Sequence, residues 1–81
     1  MSKEELIAKA KTSRVDFNGT VAIKGVWNGF YWTDYFVHYA DKDGFHACPD
    51  GEEEYIDSYM PFPLDDIDDD IYEQLINDMI K

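Results

Sequence analysis

One cysteine, Cys48, in a chain of 81 residues leaves nothing for an internal disulfide to close on. No apolar run approaches the ~18 residues that a membrane-spanning helix needs, and no charged start leads into a signal-type apolar stretch. Both absences point to a soluble protein of the cytoplasm. Bases are scarce too: seven Lys and Arg stand against eighteen Asp and Glu, for a formal charge of −11. A field of that sign repels nucleic acid and anionic membranes. It attracts proteins with basic grooves, at rates that fall as salt rises. Apolar residues are not scarce. With 44% hydrophobic and 16% aromatic residues the chain is too apolar to be disordered. Its length implies a single compact domain over 1–81, burying roughly 60–65% of its unfolded surface.

The charge is spread unevenly. Residues 1–33 carry five bases against three acids, a balance of +2, while residues 34–81 carry two bases against fifteen acids, a balance of −13. The opening SKEELIAKAKT predicts a short helix ending near Thr12, with Ser2 and Glu5 placed to close a capping box and Leu6, Ile7 and Ala10 forming a small apolar stripe. From Val15 the β-branched and aromatic content rises. TVAIKGVW and FYWTDYFVHYA flank Asn28-Gly29, the dipeptide that best tolerates a type I′ hairpin turn. A second turn at Asp41-Lys42-Asp43-Gly44 leads into FHAC as a third antiparallel strand.

A two-residue loop at Asn28-Gly29 sets a register in which Trp27 faces Phe30, Gly25 faces Trp32, Ile23 faces Asp34 and Val21 faces Phe36. That side is apolar enough to be the core, with Asp34 as its misfit. The other side then carries Ala22, Lys24, Val26, Thr33 and Val37 beside a row of tyrosines, Tyr31, Tyr35 and Tyr39, left partly exposed. Residues 49–64, with three prolines and little periodicity, are expected to form an ordered loop. Ile67, Ile71, Leu75 and Met79, with Tyr72, Ile76 and Ile80 beside them, predict a C-terminal helix of about four turns. The expected fold is therefore α+β: an N-terminal helix, a three-stranded antiparallel sheet with an Asn-Gly hairpin, and a C-terminal helix packed on one sheet face.

Five aspartates, Asp65, Asp66, Asp68, Asp69 and Asp70, fall within six positions ahead of that helix. Asp65 or Asp66 is a natural N-cap, and first-turn acids gain roughly 0.3–1 kcal/mol each from the helix dipole. On that register Asp69 and Asp70 lie beyond the dipole's reach and repel their neighbours. Asp50, Glu52, Glu53, Glu54 and Asp57 crowd the preceding loop, interleaved with Tyr55 and Tyr59, where no helix dipole acts. Two readings stay open: a solvated acidic face, and a binding surface in which tyrosines anchor and carboxylates accept bidentate hydrogen bonds from arginines.

Other chemistries fit less well. With Gly44 as the sixth residue of a calcium loop, the first ligand would be Tyr39 and the twelfth Asp50, which excludes an EF-hand. His38, His46 and Cys48 have no zinc or nucleophile spacing, solvated neighbouring aspartates have no reason to be tuned for acid–base work, and a tyrosine face among acids is a poor base-stacking platform. The expectation is no enzyme, no cofactor, no metal and no direct nucleic-acid binding.

In size, in its EEEYIDSY and DDIDDDIYEQ runs, and in its helix, sheet, helix order, the chain resembles the small acidic inhibitors encoded by phages, among them anti-CRISPR proteins and DNA mimics that block restriction or DNA-repair enzymes. The resemblance implies a phage protein acting in the cytoplasm of a bacterial host. Its carboxylates, expected to cluster on one face, would stand in for phosphates and occupy a basic nucleic-acid site on a CRISPR effector, restriction enzyme or similar complex, one inhibitor per target. Two other classes compete: an immunity or antitoxin-like binder of one basic toxin, and a structural domain, monomeric or dimeric, that pairs through Tyr31, Tyr35 and Tyr39.

Overall fold

In the computed structural model of the chain, residues 1–27 and 29–80 are described. The first helix, α1, spans Lys3–Thr12, and its start is held as its residues dictate. Ser2 Oγ accepts from the Glu5 amide at 3.2 Å while the Ser2 amide donates to Glu5 Oε1, also at 3.2 Å. Glu4 and Glu5 in the first turn and Lys9 and Lys11 in the last complement the helix dipole. Leu6 and Ala10 are buried.

Among the described residues five antiparallel strands form the sheet, two more than expected: β1 Val15–Asp16, β2 Ala22–Trp27, β3 Trp32–Asp41, β4 Gly44–Pro49 and β5 Met60–Phe62. β4 pairs one edge of β3 over Tyr35–Asp41, and β1 and β2 lie end to end along the other. The two extra strands have two and three residues, too few for any period to declare itself. β5 contains Pro61 and sits at the sheet edge, where a missing N–H is tolerated. Residues 49–64 are thus an ordered connection, as expected, but one that includes a strand and a single 3-10 turn at Ile56–Ser58.

The β2–β3 register corrects the expected one. Asn28, half of the expected two-residue turn, lies outside the described residues, as does the side chain of Lys24. Trp27 pairs with Trp32 rather than with Phe30, so four residues separate the strands. Between Ile23 and Val26, β2 gains one residue on β3, and Gly25 takes φ +71° there, a conformation favouring glycine. Ile23 consequently faces Tyr35 and not Asp34. A one-residue slip inverts a strand's faces. Tyr35 and Val37 enter the core, whereas Trp32 and Asp34 are exposed and Phe36 is half-buried on the opposite side. Asp34 ceases to be a misfit, since its Oδ1 accepts from the Gly25 amide at 3.4 Å.

A second irregularity between Val37 and Tyr39 adds a residue to β3 and returns Ala40 to the core. These two shifts dissolve the tyrosine row. Tyr35 is buried against Phe62, Tyr39 stacks on His46 at 4.3 Å on the other face, and Tyr31 lies exposed beyond the strand.

The second helix, α2, spans Asp69–Asp78, ten residues and under three turns rather than four. Asp68 takes the N-cap position instead of Asp65 or Asp66, without a side-chain capping bond. Asp69 and Asp70 accordingly fall in the first turn, within reach of the dipole and not beyond it. Both helices cover the face that carries Val37, Phe45 and Ala47, and Tyr72 and Leu75 complete the core there. The far end of α2 is pinned by a buried acid. Asp78 accepts from Thr20 Oγ1 at 2.6 Å and the Thr20 amide at 3.3 Å, while its carbonyl takes the Asn18 amide and Nδ2 at 3.0 and 2.9 Å. Those donors offset the cost of a carboxylate at the negative end of a helix. Among the described residues no helix is long and apolar enough to cross a membrane.

Candidate protein-interaction surface

The two acidic runs, expected to cluster on one face, are instead separated in space. After β4 the chain reverses through Gly51 and folds over the sheet face opposite the helices. There the Tyr59 ring lies 5.8 Å from His38 and 5.9 Å from Tyr39. The acids of this segment partly stitch it together. Glu52 Oε1 accepts from Ser58 Oγ at 2.7 Å, Glu53 Oε1 from the Gly51 amide at 3.2 Å, and the Glu53 carbonyl from the Tyr59 hydroxyl at 2.8 Å. Backbone N–H groups of Glu53 itself and of Gly51 hold the Glu53 carboxyl below the usual glutamate range. Tyr59 is half-buried, and burial pushes its phenol and the Cys48 thiol beneath it upward. Asp50, Glu54, Tyr55 and Asp57 are left facing solvent.

β5 then carries the chain around the sheet edge to the helix side. Leu64 is buried, and its carbonyl accepts from the Tyr72 hydroxyl at 2.6 Å, which anchors the turn holding Asp65 and Asp66. Lys3 reaches across from α1 to Asp69 at 3.1 Å and lies 4.7 Å from the Tyr72 ring centroid; the hydrogen bond to Asp69 raises the lysine's pKa. Asp65, Asp66, Asp68 and Asp70 have no ion-pair partner among the described residues. A groove of about 360 Å³ beside them has an apolar floor of Ile23, Phe62, Ile67 and Ile71 and a rim of Asp66, Asp68 and Asp70. The result is a body measuring 36 × 24 × 20 Å with carboxylates on two opposite sides.

The sequence reading missed a third element. β4 stops opposite Tyr35, so the pairs Val26–Thr33 and Trp27–Trp32 project past it as a two-stranded ribbon. At its end Trp27, Phe30, Tyr31 and Trp32 are 52, 87, 61 and 67% exposed, and the two indole rings pack at 5.4 Å. The cue was in WNGFYW. Phe30, Tyr31 and Trp32 at consecutive positions point to both faces of a hairpin, so they cannot all enter one core.

Behind the acidic loop lies a packed polar cluster. His46 Nε2 and Asp41 Oδ1 are 2.8 Å apart, Tyr39 stacks on His46, and the Arg14 guanidinium sits 4.0 Å over Tyr39 while bonding Asp16 at 2.8 Å. The hydrogen bond to His46 is the main reason the Asp41 carboxyl sits below its ordinary 3.8. Such a group stabilises the fold above its unfolded pKa, and that contribution disappears as pH falls through the lower folded value. Asp41→Asn should therefore melt below wild type near neutrality, by about 0.5–1 kcal/mol or roughly 2–8 °C. The gap should close in acid below the ordinary aspartate pKa, as thermal melts across pH will check; a gap that stays constant with pH would contradict the assignment. Among the described residues His38 Nε2, buried under Tyr59, has no hydrogen-bond partner. His38, His46 and Cys48 do not converge, and no cluster of His, Cys, Asp or Glu among the described residues is placed to hold a metal.

The chain matches no family model, no curated protein and no solved structure.

Proposed function

We propose that this chain is a stoichiometric inhibitor that occupies the basic nucleic-acid-binding site of a host defence protein, such as a CRISPR effector or a restriction enzyme, with carboxylates set where the site receives phosphates. The mimic reading expects its carboxylates clustered on one face, and the fold divides them between two sides instead; what supports the reading is the number of exposed carboxylates carried by a narrow body 36 Å long. Duplex DNA of that length presents about 21 phosphates, at one per ~1.7 Å of axis. A net charge of −11 is about half of that. The inhibitor therefore competes for a basic groove with a shallower salt dependence than the DNA it displaces.

Tagged protein incubated with bacterial lysate at low salt should retain a basic nucleic-acid-binding protein, identified by mass spectrometry, and excess duplex DNA should release it. The triple substitution Asp65→Asn, Asp66→Asn and Asp68→Asn, on residues that make no ion pair among the described residues, should weaken retention at least tenfold and flatten its salt dependence. A captured protein indifferent to duplex DNA would transfer the reading to an antitoxin-like binder of one basic patch. Retention of nothing basic would leave the acids as solvation and helix capping.

A further inference from the structure

The β2–β3 ribbon is a feature that charge does not explain. Trp27 and Trp32 are cross-strand partners held side by side, on the ribbon face opposite Val26, which packs toward the core. Their presentation is built in. The extra residue at Gly25 sets the register that pairs them, and a Cβ there would meet the Trp32 ring only at an ordinary 3.8 Å, so the glycine answers to φ and not to space. Aromatic rings of this size bury about 150–250 Å² each, and a cluster of exposed ones marks a contact surface rather than scattered surface hydrophobes.

The surroundings say what covers it. Trp32, Asp34 and Phe36 alternate with core-facing Thr33, Tyr35 and Val37, and Phe36 pairs with Cys48 on the face that Tyr59 covers. The tryptophan pair thus shares its side of the sheet with exposed Asp34 and with the acidic loop, which leaves β4 at Asp50 near Tyr35 and runs back along the sheet to Tyr39 and Arg14. Aromatics at the centre and charge at the rim is the anatomy of a protein interface. A second copy of this chain would bring −11 against −11, and nucleic acid or an anionic membrane meets the same repulsion. We infer that the hairpin tip is an aromatic anchor that takes a basic amphipathic segment of a partner protein, apolar residues against Trp27 and Trp32 and lysines or arginines toward Asp34 and the Asp50 end of the acidic loop. The inference rests on the basic-partner reading above and adds to it the element that gives specificity.

The chain has two tryptophans, both on this hairpin, so 5-fluorotryptophan labelling yields two fluorine NMR signals that report on the tip alone. The probe is a synthetic leucine–lysine peptide of helical amphipathic spacing, compared with a serine–lysine peptide of equal charge. The leucine peptide should shift both signals, shield them from a soluble paramagnetic agent, and bind at least tenfold more tightly than the serine peptide. Trp27→Ser with Trp32→Ser should erase that advantage without changing the circular dichroism spectrum. Equal affinity for the two peptides, unmoved signals, binding of neither peptide, or a salt-resistant dimer formed through the tryptophans would each overturn the anchor. Equal binding released by salt would do so while leaving the acidic reading intact. Affinity for both peptides left unchanged by Asp34→Asn with Asp50→Asn, the leucine preference intact, would uphold an apolar anchor and defeat its acidic rim instead.

Discussion

Tyr72→Ala is expected to lower the unfolding free energy by about 3–5 kcal/mol, the range for removing a large core aromatic. A domain of this length commands only about 4–12 kcal/mol in all, so the variant should be partly unfolded at room temperature. Tyr72 is 1% exposed and joins three parts of the molecule. Its ring meets Phe45 of the sheet at 6.0 Å, Lys3 of α1 lies over it, and its hydroxyl holds the Leu64 carbonyl at 2.6 Å. Tyr72→Phe isolates the last contact. It keeps the ring and leaves the Leu64 carbonyl without its buried donor, a loss of about 1–3 kcal/mol. Urea unfolding of both variants provides the measurement. An alanine variant within about 1 kcal/mol of wild type would mean that the helices do not depend on this packing. The phenylalanine variant also bears on function, because the turn that Leu64 anchors carries Asp65 and Asp66. A folded Tyr72→Phe protein with weakened partner binding would show that these carboxylates act from a fixed position and not as a loose cloud of charge.

What could be read ahead of the structure follows the range over which each determinant acts. The capping box at Ser2 and Glu5 is local chemistry, and α1 runs to Thr12 as that chemistry requires. The Asp41–Gly44 turn and the apolar spacing of Ile71, Tyr72, Leu75 and Ile76 are local as well; the turn stands where it was expected, and α2 covers that stretch but begins later and is a turn shorter. The hairpin register was not legible, because a single extra residue at a glycine bulge decides which face of β3 is core, and neither pattern nor propensity marks that residue. Assigning Trp27 and Trp32 to the core followed from that one slip, and with it the exposed aromatic tip went unseen. The acidic runs failed for a different reason. Their members were identified individually, but nearness in sequence was taken for nearness in space, and a three-residue strand between them puts the runs on opposite sides of the sheet.

That strand gives the second large effect. Gly44→Ala should cost about 3–5 kcal/mol, combining strain at a positive φ with overpacking. Gly44 has φ +135°, closes the turn between β3 and β4, and sits so close under β5 that an added Cβ would overlap the Phe62 carbonyl oxygen. Backbone of a paired strand cannot step aside as a flexible side chain can, so β5 must lift from β4. Lifting it loosens Phe62 from Tyr35, whose rings pack at 6.0 Å, and loosens the floor of the groove beneath Asp66, Asp68 and Asp70. Gly51→Ala is the control. It too has a positive φ, +83°, but nothing within 4 Å of the added carbon, so only strain remains, on the order of 1 kcal/mol. Chemical denaturation should separate the two variants by about 2 kcal/mol or more, and equal losses would show that β5 yields without cost. At temperatures where Gly44→Ala stays folded, hydrogen exchange should quicken at the β4–β5 pairs while β2–β3 protection holds. Partner capture should weaken in step, because β5 is the part of the chain that holds the two acidic runs apart on opposite sides of the sheet.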